Sequence, residues 1–374
     1  MPSWGDAVRA RVTEWSRSFD LERGPPVRFQ LLRINAEDHL LVALFHHAIF
    51  DGTSYWVYFR ELGALYSAAR AAEPSPLPRL PIQFADFVAW QYAFAELPAG
   101  QAQLAYWRTR IDGSRATAMR GDQPGHTVEE KWQRKDKPTM AWPARSLPLS
   151  LPSELVVAVK RQAQLLQVTP FAVLAAAYFL LIREASGQRD LLILSTYMGR
   201  DQEGTQALLG QFNNPLPIRL TVADTSTARD LIAAVRDESI AQRRNADLPA
   251  CVMLGALDRA TRVVFNFLPA DANVTALPTL PGCAVFWAPE HEENVLMNDF
   301  GFFMAETATT VTASVIANAE LFTEQGVQNL IDRYIALVTW MTQRPEAAVT
   351  DILDPEKGSD AVPERGPSGQ RAAK

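Results

Sequence analysis

The sequence predicts a mixed α/β or α+β fold, and three observations carry that expectation. Short apolar runs, Leu40–Phe45 and Leu191–Tyr197, lack polar alternation and read as strands buried on both faces. Longer stretches with helical spacing read as helices, among them Tyr55 to about Arg70, Phe171–Glu184 and Glu324–Met341. These elements are spread along 374 residues, 48% of them hydrophobic, which is enough chain for two lobes with a core.

The elements follow in order. Val8, Val12, Trp15 and Phe19 are spaced for one face of a helix over 6–19. Val27–Ile34 is a strand, and the Asn35–Asp38 turn pairs it as a hairpin with Leu40–Phe45. In the helix after Asp51, Trp56, Phe59, Leu62, Leu65 and Tyr66 share one face. A Pro-rich connector over 73–81 leads to a helix marked by Phe84, Phe87, Trp90 and Phe94, and another near 100–111. Residues 112–143 read as a surface excursion joining the lobes. Ser153 caps a helix to about Leu166. Thr169-Pro170 is an N-cap followed by Pro at the first helical position. A helix is expected over Ala228–Arg243. Further strands are expected at Arg262–Leu268, Ala284–Trp287, Phe300–Met304 and Val311–Ile316. These divisions give an N-terminal lobe over 1–143, a C-terminal lobe over 144–353 and a disordered tail over 354–374.

Composition excludes several classes of function. A net charge of −6 with no basic cluster argues against nucleic-acid binding. The two cysteines, Cys251 and Cys283, have no metal-ligand spacing, and a reducing cytoplasm is the simpler setting. No signal peptide is visible at the N-terminus. The run Phe171–Ile182 is too short to span a bilayer, so no membrane partner is expected.

Chemistry concentrates at His46-His47-Ala48-Ile49-Phe50-Asp51-Gly52-Thr53-Ser54. Side chains alternate across a strand, so His46 and His47 are expected to point to opposite sides, which argues against a shared metal ion. Asp51-Gly52 reads as a tight turn, with Thr53 or Ser54 capping the following helix. That helix start favours neutral imidazole, the form a general base needs.

His46 to Gly52 match the pattern HHxxxDG, and the sequence resembles the condensation domains of nonribosomal peptide synthetases, within the chloramphenicol-acetyltransferase-like acyltransferase superfamily. Other segments add to the resemblance: Phe84-Ala85-Asp86-Phe87-Val88-Ala89-Trp90-Gln91, Tyr106-Trp107, Thr169-Pro170-Phe171 and Tyr197-Met198-Gly199-Arg200. So do Gly210-Gln211-Phe212-Asn213-Asn214-Pro215-Leu216-Pro217-Ile218-Arg219 and Asn298-Asp299-Phe300-Gly301-Phe302. Pro215 stands where the family usually has Thr. Family members carry a longer stretch before the histidines, with an early strand, a helix and an Arg-His-x-x-Leu-Arg-like segment. None of it is found here, so the first lobe is expected to be incomplete.

The resemblance implies two lobes, each an α+β two-layer sandwich, set as a V-shaped pseudo-dimer. It marks His47 as catalytic, positioning or deprotonating an amine or hydroxyl acceptor that attacks an acyl thioester. It makes His46, Asp51, Gly52 and Arg200 structural support, with Asp51 and Arg200 as an ion pair. Gly52 reads as a backbone requirement, with close approach to substrate second. Asn214, Arg219 and Asp299 are candidates to line the cleft. No metal and no cofactor of its own are implied. The phosphopantetheine arm arrives on an acyl or peptidyl carrier protein, or coenzyme A takes its place. The expected activity is amide or ester formation in trans by a monomer. An acyl-coenzyme A acyltransferase and a non-catalytic docking module are the alternatives. Epimerisation domains share the motif, whereas heterocyclisation domains usually have Asp at the histidine positions.

Overall fold

The computed structural model describes residues 19–123, 142–253, 262–269, 277–286, 295–296, 298–307 and 309–353. All but the last residue of the expected helix over 6–19, most of the 112–143 excursion, Trp287 and the tail from Asp354 lie outside them.

Near the N-terminus, β1 (Val27–Arg33) and β2 (His39–Phe45) form a two-stranded antiparallel hairpin, with Val27 opposite Phe45 and Arg33 opposite His39. The expectation that Leu40–Phe45 is buried on both faces is wrong here. β2 has only β1 as a strand partner among the described residues. Phe29, Leu31 and Leu41, on one face of the hairpin, remain 51%, 66% and 45% exposed.

Helix α1 (Gly52–Ala71) follows. Its buried positions are Ser54, Val57, Gly63 and Ala68, and Leu65 is exposed, so the buried stripe is rotated from the expected one. The reason is its neighbour. The helix lies against backbone at 278–279, and a Cβ on Gly63 would stand 3.0 Å from the Thr279 carbonyl. Helices α2 (Phe84–Glu96) and α3 (Pro98–Ile111) come next. They pack on the later half of the chain, where Trp107 is buried with Leu216, Ala246 and Leu248, and Phe87 with Leu208 and Phe212.

The second half is built on a seven-stranded mixed sheet in the order β5-β4-β6-β8-β9-β3-β7. These strands are β3 (Trp142–Ser150), β4 (Asp190–Tyr197), β5 (Asn214–Thr221), β6 (Val263–Leu268), β7 (Val295–Leu296), β8 (Phe300–Glu306) and β9 (Val311–Asn318). Helices α4 (Ser153–Leu166), α5 (Pro170–Ser186), α6 (Ala228–Arg244) and α8 (Glu324–Gln343) pack with it, and α7 (Ala250–Met253) is one turn. Residues Ala172 to Ile182 of α5 are all buried, which accounts for its lack of a polar face. Tyr178, Phe265, Phe300, Phe302 and Tyr334 form the aromatic centre of this core. No single described helix is long and apolar enough to cross a membrane.

Ala284–Phe286, expected as part of a strand, has no strand pairing. Asn214–Thr221, not anticipated as a strand, pairs with β4 throughout. Pro215 and Pro217 hide it in the sequence, and they are tolerated because β5 is the edge of the sheet.

Candidate functional site

The strand carrying the motif stops at Phe45, so neither histidine is on it. His46 caps a single 3-10 turn over His47–Ile49, with Phe50 after it in extended backbone. The alternation argument for opposed histidines therefore does not apply; the turn separates their roles. His46 Nδ1 accepts from the Ala48 amide at 3.0 Å, and its ring meets Phe19 edge-on at 5.8 Å. His47 Nδ1 lies 2.8 Å from the Phe50 carbonyl oxygen. A carbonyl only accepts, so His47 carries its proton on Nδ1 and leaves the Nε2 lone pair available. His46, accepting on Nδ1, is the opposite tautomer when neutral. Both tautomers are assigned from hydrogen-bond partners. Phe50 is buried and stacks on Phe45, with centroids 3.9 Å apart, which fixes the carbonyl that holds His47.

Asp51 is the N-cap of α1, replacing Thr53 or Ser54 in that role. Only 1% exposed, it gathers four donors. Its Oδ1 accepts from the Ser54 amide, the Ser54 hydroxyl and Arg200 Nη2, each at 2.8 Å, while Oδ2 accepts from the Phe212 amide at 3.1 Å. Arg200 also donates through Nη1 to the Thr205 and Leu208 carbonyls, at 3.0 and 2.7 Å. Its guanidinium lies 4.1 Å from the Phe212 ring centroid. Burial pulls the Arg200 pKa below its usual value, and the Asp51 charge opposes that shift. The Ser54 hydroxyl accepts from the Gly210 amide at 3.1 Å and from Arg200 at 3.0 Å.

This network joins the histidine turn to the 198–212 loop of the second half. Thr53 adds a contact to Met198, and Gln211 Nε2 lies 3.3 Å from His47 Nδ1. Ser54 and Gln211 are the residues that sequence reasoning missed. Ser54 drew notice only as a cap, and Gln211 occupies an unfixed position of a segment that carries the resemblance. Gly52 departs from the turn reading. It is the first residue of α1, its φ is not positive, and a Cβ would meet nothing within 4 Å.

The three other candidates do not join His47. Asn214 is buried and spends its side chain on the Ala246 and Leu248 carbonyls and the Ala250 amide, at 3.0, 2.7 and 2.8 Å. It anchors the 246–250 loop, and burial in the backbone removes it from any cleft lining. Asp299 is 0% exposed, with its backbone hydrogen-bonded to Arg262 and Asn318. It lies just before β8, where its backbone meets the residue before β6 and the last residue of β9. Arg219 pairs with Asp190, at 2.7 Å, and lines a cleft of about 680 Å³ beside Tyr106 and Arg110. Neither histidine lines that cleft. Among the described residues, no group of three His, Cys, Asp or Glu is placed to hold a metal ion.

Comparison with known proteins bears on this arrangement. The family model for the condensation domain matches residues 6–360. A linear gramicidin synthase chain from Brevibacillus parabrevis is 28% identical over 355 residues, covering 92% of this chain and 4% of that protein. Phosphinothricin tripeptide synthetase PhsC from Streptomyces viridochromogenes is 32% identical over 243 residues, 65% of this chain and 22% of that protein. The chain thus spans a small part of these relatives. The X-domain from teicoplanin biosynthesis has a similar structure, with TM-score 0.80 at 20% identity, covering 92% of this chain and 78% of that one. The first condensation domain of the calcium-dependent antibiotic synthetase follows with TM-score 0.68 at 17% identity, covering 92% and 74%. The fold is therefore the chloramphenicol-acetyltransferase-like one of those domains. With the family model matching nearly the whole sequence, the chain belongs to the condensation domain family.

Proposed function

We propose that this chain is a condensation-type acyltransferase. It joins a carrier-bound acyl thioester to an amine or hydroxyl acceptor, acting in trans. The observation that carries the reading is the His47 tautomer. With Nδ1–H held by the Phe50 carbonyl, Nε2 is the basic nitrogen, and it has no hydrogen-bond partner among the described residues. The acceptor nitrogen or oxygen attacks the thioester carbonyl, and its proton passes to His47 Nε2. The C–S bond breaks, and the thiolate of the phosphopantetheine arm takes that proton back from His47 and leaves as the thiol. The arm belongs to the carrier protein and reaches this chain as part of the substrate; coenzyme A would present the same thiol. The thioester supplies activation, while the protein supplies proximity and a positioned base. Arg200, Asp51 and Ser54 hold the turn and do not touch substrate.

A second reading, a recruitment module without turnover, draws on the likeness to the X-domain from teicoplanin biosynthesis, one structure of which is a complex with OxyB. One experiment separates the two: acyl transfer from a loaded carrier protein by wild type and by His47→Ala. The variant is expected to lose roughly 10²–10⁴-fold in kcat. No turnover by wild type, with carrier binding retained, would sink the enzyme reading and leave the recruitment module.

A further inference from the structure

Gln211 and His47 sit on opposite sides of the seam, 164 positions apart, with Gln211 Nε2 3.3 Å from His47 Nδ1. The two partners of Nδ1 make incompatible demands. The Phe50 carbonyl, at 2.8 Å, requires a proton on Nδ1. An amide NH2 facing the same nitrogen would set donor against donor. The Gln211 Oε1 is meanwhile buried with no hydrogen-bond partner. The oxygen and nitrogen of a side-chain amide are assigned from their surroundings, and here the donor–donor clash at Nδ1 favours turning the amide by 180°, which places the NH2 where the oxygen had no partner. Its oxygen then accepts from Nδ1–H alongside the Phe50 carbonyl.

We infer that Gln211 is a positioning residue for His47: its amide oxygen is a second acceptor for the Nδ1 proton, fixing the tautomer that leaves Nε2 basic. The inference rests on the reading of His47 as the base, but its physical content is a hydrogen bond that exists without substrate. Gln211 is also held in place by its neighbours. The amide of Phe212 is bound by Asp51, and that of Gly210 by Ser54. The ion-pair network thus delivers the second half's contribution to the base. Sequence pattern alone gives no hint of this, since the partners meet only across the seam.

The test is the state of the His47 ring nitrogens in the full chain without substrate. It is read by long-range proton–nitrogen correlation NMR and assigned with His47→Ala. Wild type should show the Nδ1–H form. Gln211→Met removes the acceptor at similar volume. The minor Nε2–H form should then rise about two- to tenfold, the yield of one neutral hydrogen bond, and the two averaged nitrogen shifts should move toward each other. Gln211→Glu keeps an acceptor and should retain the wild-type tautomer. In turnover, Gln211→Met should lower kcat only in proportion to the fall in the Nδ1–H population, with KM unchanged. An unchanged tautomer ratio in a folded Gln211→Met overturns the inference, as does a Gln211→Glu that matches Gln211→Met. A wild type that turns nothing over, yet shows the tautomer response, overturns the proposed function and leaves this positioning role standing.

Discussion

At Asp51 one carboxylate serves as helix cap, as ion-pair partner to Arg200 and as anchor for the Phe212 amide. Removing it leaves Arg200, only 8% exposed, without its counter-charge. Asp51→Ala is expected to destabilise the fold by about 3–5 kcal/mol, the usual consequence of stranding one member of a buried pair. Urea denaturation measures this, and a fully stable, merely inactive variant would reject the structural role. Gly52 is expected to behave in the opposite way. With a non-positive φ and open space around its Cα, Gly52→Ala should leave stability unchanged or raise it by up to about 1 kcal/mol. If that stable variant loses transfer activity, the glycine serves close approach of substrate and not the backbone.

At the scale of elements, the loop between β4 and β5 is the part most exposed to damage. Gly199 has φ +65°, and a Cβ there would lie 2.2 Å from the Phe212 carbonyl oxygen. Gly199→Ala is expected to cost about 1–3 kcal/mol from backbone conformation alone, plus displacement of Phe212 from Arg200. Its signature is a lowered thermal midpoint together with loss of activity. The β4–β5 pair also carries an acid-sensitive contact. The hydrogen bonds from Arg219 hold Asp190 below the usual carboxylate pKa. A depressed carboxylate contributes stability that is complete above its unfolded value, about 3.9, and is lost as pH falls through the lower folded value. The chain should therefore lose stability below about pH 4, and Asp190→Asn should flatten that limb of a pH–stability profile. The effect is expected to be small, because Asp190 is 40% exposed and solvent screens the pair.

At the scale of the molecule, stability and chemistry are housed apart. In the aromatic core between the sheet and its helices, the Phe302 ring lies 4.8 Å from that of Tyr334 and 5.2 Å from that of Tyr178. Phe302→Ala is expected to lose about 3–5 kcal/mol, seen in denaturant unfolding, while the His47–Phe50 contact in the folded fraction persists. The site depends instead on the seam, where the first half supplies His47, Asp51 and Ser54, and the second supplies Arg200, Gly210, Gln211 and Phe212. Trp107 donating to the Asn245 carbonyl at 2.7 Å, and Arg110 paired with Glu238, extend that seam beyond the site.

Much of this was legible in the sequence because it depends on local pattern. Thr169-Pro170 marked the start of α5, apolar runs marked β4, β6, β8 and β9, and the motif with its flanks indicated the family and the Asp51–Arg200 partnership. What the sequence could not supply was decided by contacts between distant segments. The histidines left the strand because β2 ends at Phe45 and a 3-10 turn takes over. Asn214 and Asp299 proved buried because loops and strands far from them close over their side chains. β5 was hidden because its prolines are acceptable only at a sheet edge, and edges exist only in the assembled sheet. The sequence by itself determined the elements and the chemistry available, since propensity and spacing act within a few residues. Only the tertiary structure decided that Ser54 bridges the ion pair and that Gln211 reaches His47, because those interactions depend on packing across the seam.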